Sequence, residues 1–427
     1  QSLPKSVSDA RYIVYHKGEA TEFSVNQRMG GGTWVYLGTF DFDKGCNEFN
    51  RVVCTNKASH RGVVTTDAVR FGGGMGNIER GGYTSGLPRC LEGARYYAQW
   101  AGAPYKVYGG RKGENDYADD INTRSLMTNW LGGGSVYMPA RKGKHVPIEL
   151  SLALHSDAGY NKDGKTTFGA LAICTTDYND GILNSGISRF TSKDFARALR
   201  DNLVTDLTAQ FGEFGKRYLW DRNYSETRLP EVPSAILEML SHQNFPDMRI
   251  AQDPLGKFYI ARSIYKTILR FVNSNHGTRY VVQPLAPQNF SITQNQGVAL
   301  LSWTAQLDKM EPSARPTSYI IYKAEGQGGF DNGTIVNTTR CQMQLKPGKL
   351  YHFKVAAVNA GGESFTTETL SVLYNPAASK SVLIVNNFHR LASPQVVDDE
   401  EKQGFDLNQD PGVSYGLTAG WSGKQQV

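Results

Sequence analysis

This chain of 427 residues has few cysteines and no block of like charge, and both absences limit what it can be. Its five cysteines are scattered and none belongs to a Cys-x-x-Cys pair, so the sequence predicts neither a disulfide framework nor a thiolate zinc site. The net charge of +6 is small for this length and forms no basic run, which speaks against nucleic acid as a partner. No apolar run reaches transmembrane length, and no signal peptide is visible.

Glycine and tyrosine, in contrast, are abundant. The 45 glycines and 22 tyrosines favour turn-rich β structure over helical bundles. A chain of this length is expected to form about two to four domains. It opens with Gln-Ser-Leu-Pro and has no initiator methionine, so we expect a processed or truncated form of a longer protein.

The patterns divide the chain into four parts and predict a multidomain fold, α/β plus all-β. Residues 8–71 hold short β-rich runs separated by turn residues, which predicts a small β-sandwich. Residues 72–275 alternate strands with helices, as in an α/β layered sheet. Residues 284–375 are β-rich again. Residues 380–427 begin with a strand and predict either the start of a further, truncated α/β unit or a packed tail.

Individual elements are predicted within these parts. The β-rich runs of the first part are residues 11–16, 21–26, 34–40, 51–55 and 63–71. The α/β part should contain a short strand at 106–108 and helices at 117–131, 193–211 and 254–272. Thr191 or Ser192 is the expected N-cap of the helix at 193–211. A last strand is expected at 381–387.

Two apolar strands of the α/β part each lead to a titratable residue. The run 148–159 contains His155, and the run 232–239 contains Glu238. Because ligands of open α/β sheets gather at the carboxyl ends of the strands, we expect both side chains at one edge. A metal-binding histidine beside a glutamate that handles protons is the layout of a zinc hydrolase. The alternative is a satisfied core histidine and a solvated carboxylate.

Residues 284–375 resemble a fibronectin type III domain. The resemblance rests on lead-in prolines, a strand with Trp303, and the pattern Leu-x-Pro-Gly-x-x-Tyr-x-Phe-x-Val from Leu345 to Val355. It implies a sandwich of seven strands that acts as a spacer or an interaction module.

The motif order of residues 72–275 resembles the zinc-dependent N-acetylmuramoyl-L-alanine amidase family. The motifs are Leu-Glu-Gly-Ala-Arg with Glu92, Leu-Ala-Leu-His-Ser-Asp with His155, and Val-Pro-Ser-Ala-Ile-Leu-Glu with Glu238. The resemblance implies that His155 and Glu92 bind zinc and that Glu238 is the catalytic base. Glu79, in a glycine-rich setting, is the alternative to Glu92.

One departure from this family concerns its first zinc ligand, a histidine in a Gly-His-Gly-like loop. The upstream His16 and His60 lack that context. Either the ligand precedes Gln1, with the small β domain inserted in the catalytic fold, or the zinc site is incomplete. We therefore expect zinc to be absent or poorly bound in this form. The candidates for substrate contact follow the two strands and are Asp157, His242 and Asn244.

Residues 8–71 resemble a golvesin C-terminal-like domain, through the runs 15–18, 25–27, 32–40 and 64–71. The whole order resembles the Bacteroidota proteins usually labelled xanthan lyases. The helical toroid typical of such lyases is not predicted here, so the strand-borne His155 and Glu238 favour amide hydrolysis.

The resulting expectation is a zinc-dependent, amidase- or peptidase-like hydrolase of the cell envelope, acting on peptidoglycan-type or glycan-linked amides. The first alternative is a polysaccharide lyase. The second is a non-catalytic envelope protein with a decayed amidase fold that binds glycan or protein. The expected location is periplasmic, outer-membrane-attached or secreted, and envelope proteins are expected partners of the two sandwiches.

Overall fold

The structure is a computed structural model. It describes residues 3–71 except 30, 32–33, 39 and 49, the backbone of 79–80 and 83–84, and residues 92–112, 114–385, 392–410 and 412. The described part contains several β-sheets, with helices concentrated between residues 94 and 275. Among these residues, no helix is long and apolar enough to cross a membrane.

The N-terminal part contains a three-stranded antiparallel sheet with the order β2-β1-β3. Its strands are β1 (Ala10–His16), β2 (Glu19–Val25) and β3 (Arg51–Cys54). The strands expected at 34–40 and 63–71 are not found among the described residues, apart from an isolated bridge between Ser6 and Val63. A two-stranded hairpin follows, made of β4 (Glu79–Arg80) and β5 (Tyr83–Thr84).

Packing on a helix explains why the run at 34–40 is not a strand. The next elements are α1 (Ala94–Trp100), α2 (Tyr105–Tyr108) and α3 (Asp116–Gly132). The rings of Trp34 and Trp100 are 6.4 Å apart, and those of Tyr36 and Tyr97 are 5.7 Å apart. These contacts hold the run against α1, so tertiary packing outweighs its high β propensity.

The strand predicted at 106–108 was wrong, because α2 occupies these positions. Pro104 precedes α2 in an extended conformation, and a proline there does not interrupt helical hydrogen bonds. Val107 is buried among Ala98 and Ala103, so one apolar side chain packs this single turn of helix against its neighbours.

The α/β part is built on a mixed four-stranded sheet with the order β6-β9-β7-β8. The strands are β6 (Ser151–Asp157), β7 (Ala170–Cys174), β8 (Lys216–Asp221) and β9 (Ser234–Ser241). β6 runs parallel to β9 and β7 runs parallel to β8, but β7 is antiparallel to β9. The sheet is therefore not wholly parallel, and β8 is a strand that the sequence pattern missed.

Three helices cover one face of this sheet: α4 (Phe190–Phe211), α6 (Phe245–Gln252) and α7 (Pro254–Asn275). The single turn α5 (Ser225–Arg228) lies between β8 and β9 along the chain. The core between sheet and helices includes Phe195, Leu203, Leu237 and Ile264. The expected N-cap of α4 was wrong: the helix begins at Phe190, and the Ser192 hydroxyl instead accepts a hydrogen bond from the backbone N–H of Ser234 at 3.1 Å.

Residues 288–373 form two facing sheets. One has the order β10-β11-β14, from β10 (Gln288–Asn295), β11 (Val298–Thr304) and β14 (Arg340–Gln344). The other consists of β12 (Ser318–Glu325), β13 (Thr334–Val336), β15 (Leu350–Asn359), β16 (Gly362–Thr366) and β17 (Leu370–Leu373). Trp303, Ile321 and Phe353 lie in the core between them. The expected sandwich is present, with eight strand segments among the described residues.

Helix α7 is joined to this sandwich by buried ion pairs, which we call the junction network. Arg262 donates from Nε and Nη2 to Asp308, at 2.9 and 2.8 Å, and Nη2 also donates to the carbonyl of Gln283 at 3.2 Å. Arg270 pairs with Glu311. The junction network attaches the sandwich firmly to α7.

The C-terminal part differs from the expected strand at 381–387. Residues 382–385 are 72–87% exposed and form no strand, and 386–387 lie outside the described residues. A hairpin forms further on, from β18 (Gln395–Asp398) and β19 (Gln403–Asp406). Gln403 donates to the carbonyl of Gly164 at 3.0 Å, so the hairpin packs against the α/β part.

Candidate functional site

His155 and Glu238 are direct neighbours across the parallel strands β6 and β9. The imidazole Nδ1 of His155 is 3.7 Å from Oε1 of Glu238. Because paired residues of adjacent strands point to the same face, both side chains project from one face of the sheet. The structure brings these two residues together, and the catalytic and zinc-binding roles expected for them stay predictions. Glu238 is not the last residue of its strand, however, since β9 continues to Ser241.

A second carboxylate, Glu226, contacts the other nitrogen of His155. Its Oε2 is 3.1 Å from His155 Nε2, and its Oε1 accepts a hydrogen bond from Arg124 at 2.9 Å. Glu226 lies in α5, a single turn between β8 and β9. The sequence analysis missed it, because a four-residue helix in a polar connection has no periodic pattern to mark it.

The ion pairs continue outward from Glu226 through two helices, and we call the whole set the site network. Arg124 is 3.5 Å from Asp120, and both lie on α3. Asp120 in turn is 3.0 Å from Arg95, near the start of α1. The charges therefore alternate from α1 to the sheet and fix the side on which Glu226 meets His155.

This environment shifts the pKa values of the three central groups. The pKa of His155 is raised, mainly by its contact with the Glu226 carboxylate. Burial alone would raise the pKa of Glu226, but the contacts with His155 and Arg124 outweigh it, and the net shift is downward. Burial raises the pKa of Glu238. The pKa values of the two carboxylates on either side of the imidazole are thus shifted in opposite directions.

Glu238 is also incompletely hydrogen-bonded. Its Oε2 is buried and has no hydrogen-bond partner in the structure. An unpaired buried oxygen on a carboxylate costs stability and is rare unless it has a use. Opposed pKa shifts in neighbouring titratable groups are typical of sites for acid–base chemistry. This constellation can therefore accept and return a proton.

Asp157, a candidate for substrate contact, forms an ion pair with an arginine. Its Oδ2 is 2.5 Å from Nη1 of Arg217, and the Arg217 guanidinium also lies 3.9 Å from the centroid of the Phe168 ring. Asp157 thus anchors an arginine beside the site. Arg217 belongs to β8, which lies at the opposite edge of the sheet from the strand that carries Asp157.

His242 and Asn244 lie close together but in different settings. His242 is exposed, and its Nδ1 is 3.1 Å from the hydroxyl of Ser156. Asn244 is 1% exposed, and its amide joins Asn161 and Asp247 by hydrogen bonds of 3.0 and 3.1 Å. His242 is therefore accessible to a substrate, whereas the Asn244 side chain is occupied in holding the loop after β6. Contact of either residue with substrate stays a prediction.

Asp247 is a structural residue that the sequence analysis did not single out. It is fully buried and accepts hydrogen bonds from the backbone N–H groups of Phe168, Gly169 and Ser241, at 2.8, 3.1 and 2.8 Å. These bonds tie the start of β7 to the end of β9. This carboxylate therefore links the end of the strand that carries Glu238 to the neighbouring strand.

The described residues do not fit a complete zinc site. They contain no group of three or more His, Cys, Asp or Glu side chains placed to hold a metal ion. Glu92 is buried directly before α1, whereas the two nitrogens of His155 face Glu226 and Glu238. The side chain of Glu79 lies outside the described residues. Zinc binding by His155 with Glu92 or Glu79 stays a prediction.

Two family models match parts of the chain. Residues 2–73 match the golvesin C-terminal domain, and residues 285–372 match the fibronectin type III domain. The chain therefore contains a golvesin C-terminal domain and a fibronectin type III domain. Both matches lie outside the segment that carries His155, Glu226 and Glu238. No curated protein matches this chain.

Solved structures with partial similarity include an amidase and proteins with fibronectin domains. The CwlD amidase from Clostridioides difficile, in complex with the GerS lipoprotein, is 14% identical, with 38% of this chain and 66% of that chain covered and a TM-score of 0.27. The twitchin kinase region from C. elegans is 23% identical over 30% and 24% of the two chains, with a TM-score of 0.21. The FN1-FN3 domains of chicken CNTN1 are 17% identical over 23% and 34%, at 0.20. TM-scores this low carry no argument about the overall fold.

Proposed function

We propose that this chain is a hydrolase of the cell envelope that cleaves amide bonds in peptidoglycan-type or glycan-linked material. The observation that supports it most is Glu238: a half-buried carboxylate with a raised pKa and an unpaired buried oxygen, 3.7 Å from His155. A carboxylate with these properties is suited to general acid–base catalysis. We propose amide bonds as the bonds cleaved because the motif order of residues 72–275 resembles that of the amidase family.

In this proposal each residue of the site has a separate role. Glu238 takes a proton from the attacking water and returns it to the leaving amine, so the proton ends on the nitrogen of the product. His155 stands beside the reacting carbonyl, and its raised pKa favours the imidazolium form, whose positive charge can stabilise the negative charge that develops on the carbonyl oxygen. Glu226, fixed by Arg124, holds the imidazole ring in its orientation.

The remaining proposals concern zinc, location and partners. We propose that zinc, where it binds, uses His155 with Glu92 or Glu79, although the described residues do not form a complete donor set. A catalytic zinc site needs about three protein ligands, so we expect zinc well below one equivalent in the purified chain. The golvesin C-terminal and fibronectin type III domains support a periplasmic, outer-membrane-attached or secreted protein that contacts glycan and envelope proteins.

The test is Glu238→Gln, which keeps the size of the side chain and removes its basicity. With a muropeptide as substrate, release of free amino groups should fall about 100- to 10,000-fold. Glu213→Gln, at an exposed glutamate after α4, is the matched control and should be as active as the unmodified chain. Zinc content is measured on the same samples by elemental analysis.

Other outcomes would point to the alternatives. Equal release of amino groups by both variants would contradict the role of Glu238. Absence of amide cleavage, together with formation of unsaturated sugars from a uronate polysaccharide, would favour a lyase. Stoichiometric zinc that is lost on His155→Ala would contradict the incomplete metal site and support the metal-dependent form of the proposal.

A further inference from the structure

Strand β8, at one edge of the sheet, carries two neighbouring aromatic rings, one exposed and one half-buried, and an exposed guanidinium group follows the strand. Tyr218 and Trp220 are two positions apart, and their rings are nearly parallel, with an interplanar angle of 11° and centroids 6.3 Å apart. Arg222 continues the row, with its guanidinium carbon 4.3 Å from the centroid of the Trp220 ring. Tyr218 is 68% exposed. We call these three residues the β8 strip.

The β8 strip lies on the same face of the sheet as the candidate site. Trp220 packs against Leu171, Ile173 and Ile236, on the face opposite α4 and α7. Ile236 precedes Glu238 by two positions, so both point to that face. Leu171 is also the register partner of Glu238 in the pairing of β7 with β9.

A β-bulge adjusts the alignment of β8 with the site. Ala170 pairs with Lys216 and Ala172 pairs with Leu219, so β8 contains one extra residue at this point. Within the bulged segment, Arg217 contacts Asp157, and Tyr218 is the next residue along the strand. Two strand spacings separate β8 from β9, so Tyr218 stands about 10 Å from Glu238 across the same surface.

We propose that the β8 strip is a binding subsite for a glycan whose sugars carry carboxylate groups. The C–H face of a sugar ring packs on the electron-rich face of an aromatic ring, and Tyr218 is an aromatic residue that is accessible to solvent. A carboxylate on the next sugar can pair with the exposed Arg222 guanidinium. The strip covers roughly 13 Å of strand, which leaves room for more than one sugar ring.

This inference rests on the proposed function only for the direction of the glycan chain, from the β8 strip toward Glu238.

The alternative ligand for a strand at the edge of a sheet is another β-strand. The bulge and the charged Lys216 at the start of β8 disfavour such pairing, because irregular and charged edges resist strand addition. A ligand that uses the face of the strip fits these features better than one that uses its edge.

The experiment measures binding on the Glu238→Gln background, so that hydrolysis cannot interfere. The probes are a galacturonic acid hexamer, which is acidic, and cellohexaose, which is neutral, followed by isothermal titration calorimetry. Tyr218→Ala should weaken binding of both about three- to tenfold, whereas Tyr218→Phe keeps the ring and should stay within about twofold. Arg222→Gln should weaken binding of the acidic probe only. Tyr117→Ala, at a tyrosine that is 79% exposed on α3, is the matched control.

Two results would overturn the subsite: neither probe binds the chain, or Tyr218→Ala binds both as tightly as the Tyr117→Ala control does. Equal loss of both probes on Arg222→Gln would contradict the preference for carboxylate-bearing sugars. If binding depends on Tyr218 but no variant cleaves an amide, the proposed function fails and the subsite stands. Circular dichroism confirms that each variant is folded.

Discussion

The molecule uses the same types of charged residue in two networks with different properties. In the junction network, Arg262 and Asp308 are almost completely buried, and the guanidinium makes two bonds to the carboxylate and one to a backbone carbonyl. In the site network, His155 and Arg124 are partly exposed, and Glu238 keeps a buried oxygen without a partner. The site carboxylate Glu238 thus has a buried oxygen without a hydrogen-bond partner, whereas the carboxylate of Asp308 is paired with Arg262.

The difference indicates what each network is for. The main effect of a buried ion pair whose charges are matched and hydrogen-bonded is to fix geometry. A half-buried network with an unused acceptor and opposed pKa shifts can change its protonation at low cost. The same residue types therefore serve architecture at α7 and proton transfer at the β6–β9 pair, and three experiments separate the two roles.

The largest effect on stability is expected from the junction network. Asp308→Ala leaves the Arg262 guanidinium buried and unpaired, which should lower the free energy of unfolding by about 3–5 kcal/mol. Urea unfolding followed by circular dichroism measures it. The control is Asp194→Ala, which breaks the exposed pair between Asp194 and Arg197 and should change stability little.

A double variant sharpens this result. Arg262→Met with Asp308→Leu replaces the ion pair by apolar side chains of similar size, so most of the lost stability should return. If Asp308→Ala is as stable as the unmodified chain, the junction network does not hold the sandwich to α7 as described.

A smaller effect, on activity and not on folding, is expected at Glu226. Glu226→Gln keeps a hydrogen-bond acceptor for Arg124 but removes the charge that orients His155, so kcat should fall about tenfold or more while KM changes little. Steady-state kinetics on the muropeptide substrate measures both constants. The matched control is Glu149→Gln, since Glu149 forms a similar pair with His276 at 2.7 Å, away from the site.

Equal loss of activity in the Glu226 and Glu149 variants would mean that both pairs act through general stability. A rise in KM without a change in kcat would instead place Glu226 in substrate binding.

The smallest effect is a dependence of stability on pH that belongs to the site network. The pKa values of His155 and Glu238 are both raised in the folded state, so the folded chain holds more protons than the unfolded chain above their ordinary values of 6.5 and 4.5. Their contribution to stability is complete below those values and is lost as pH rises through the raised ones. Unfolding between about pH 5 and pH 9 should therefore show a decline in stability with pH.

The double variant His155→Gln with Glu238→Gln should flatten this decline, whereas Asp308→Ala should lower stability without changing its slope against pH. A slope unchanged in the double variant would assign the pH dependence to other groups. The pKa of Glu226 is lowered, so its contribution has the opposite sign and is lost only as pH falls into the acidic range.

The two β-rich parts of the chain show how far local patterns reach. In the fibronectin type III part, alternating residues such as Tyr351, Phe353 and Val355 all enter one core, so the period of two predicts the strand. In the golvesin part, the aromatic run at 34–40 has strong β propensity but packs on α1, and no period in its own sequence indicates that helix. The prediction was wrong where the packing partner lay far along the chain.

The sequence by itself determined that His155 and Glu238 would come from apolar strands of an α/β sheet, because burial of aliphatic side chains leaves its mark in the residues themselves. Only the tertiary structure decided which nitrogen of His155 meets which carboxylate. Glu226 reaches it from a single turn that follows an unpredicted strand, and Arg217 reaches Asp157 through a bulge at the end of the sheet. Those contacts depend on strand order and register, which arise from packing between distant segments and are not encoded in any local period.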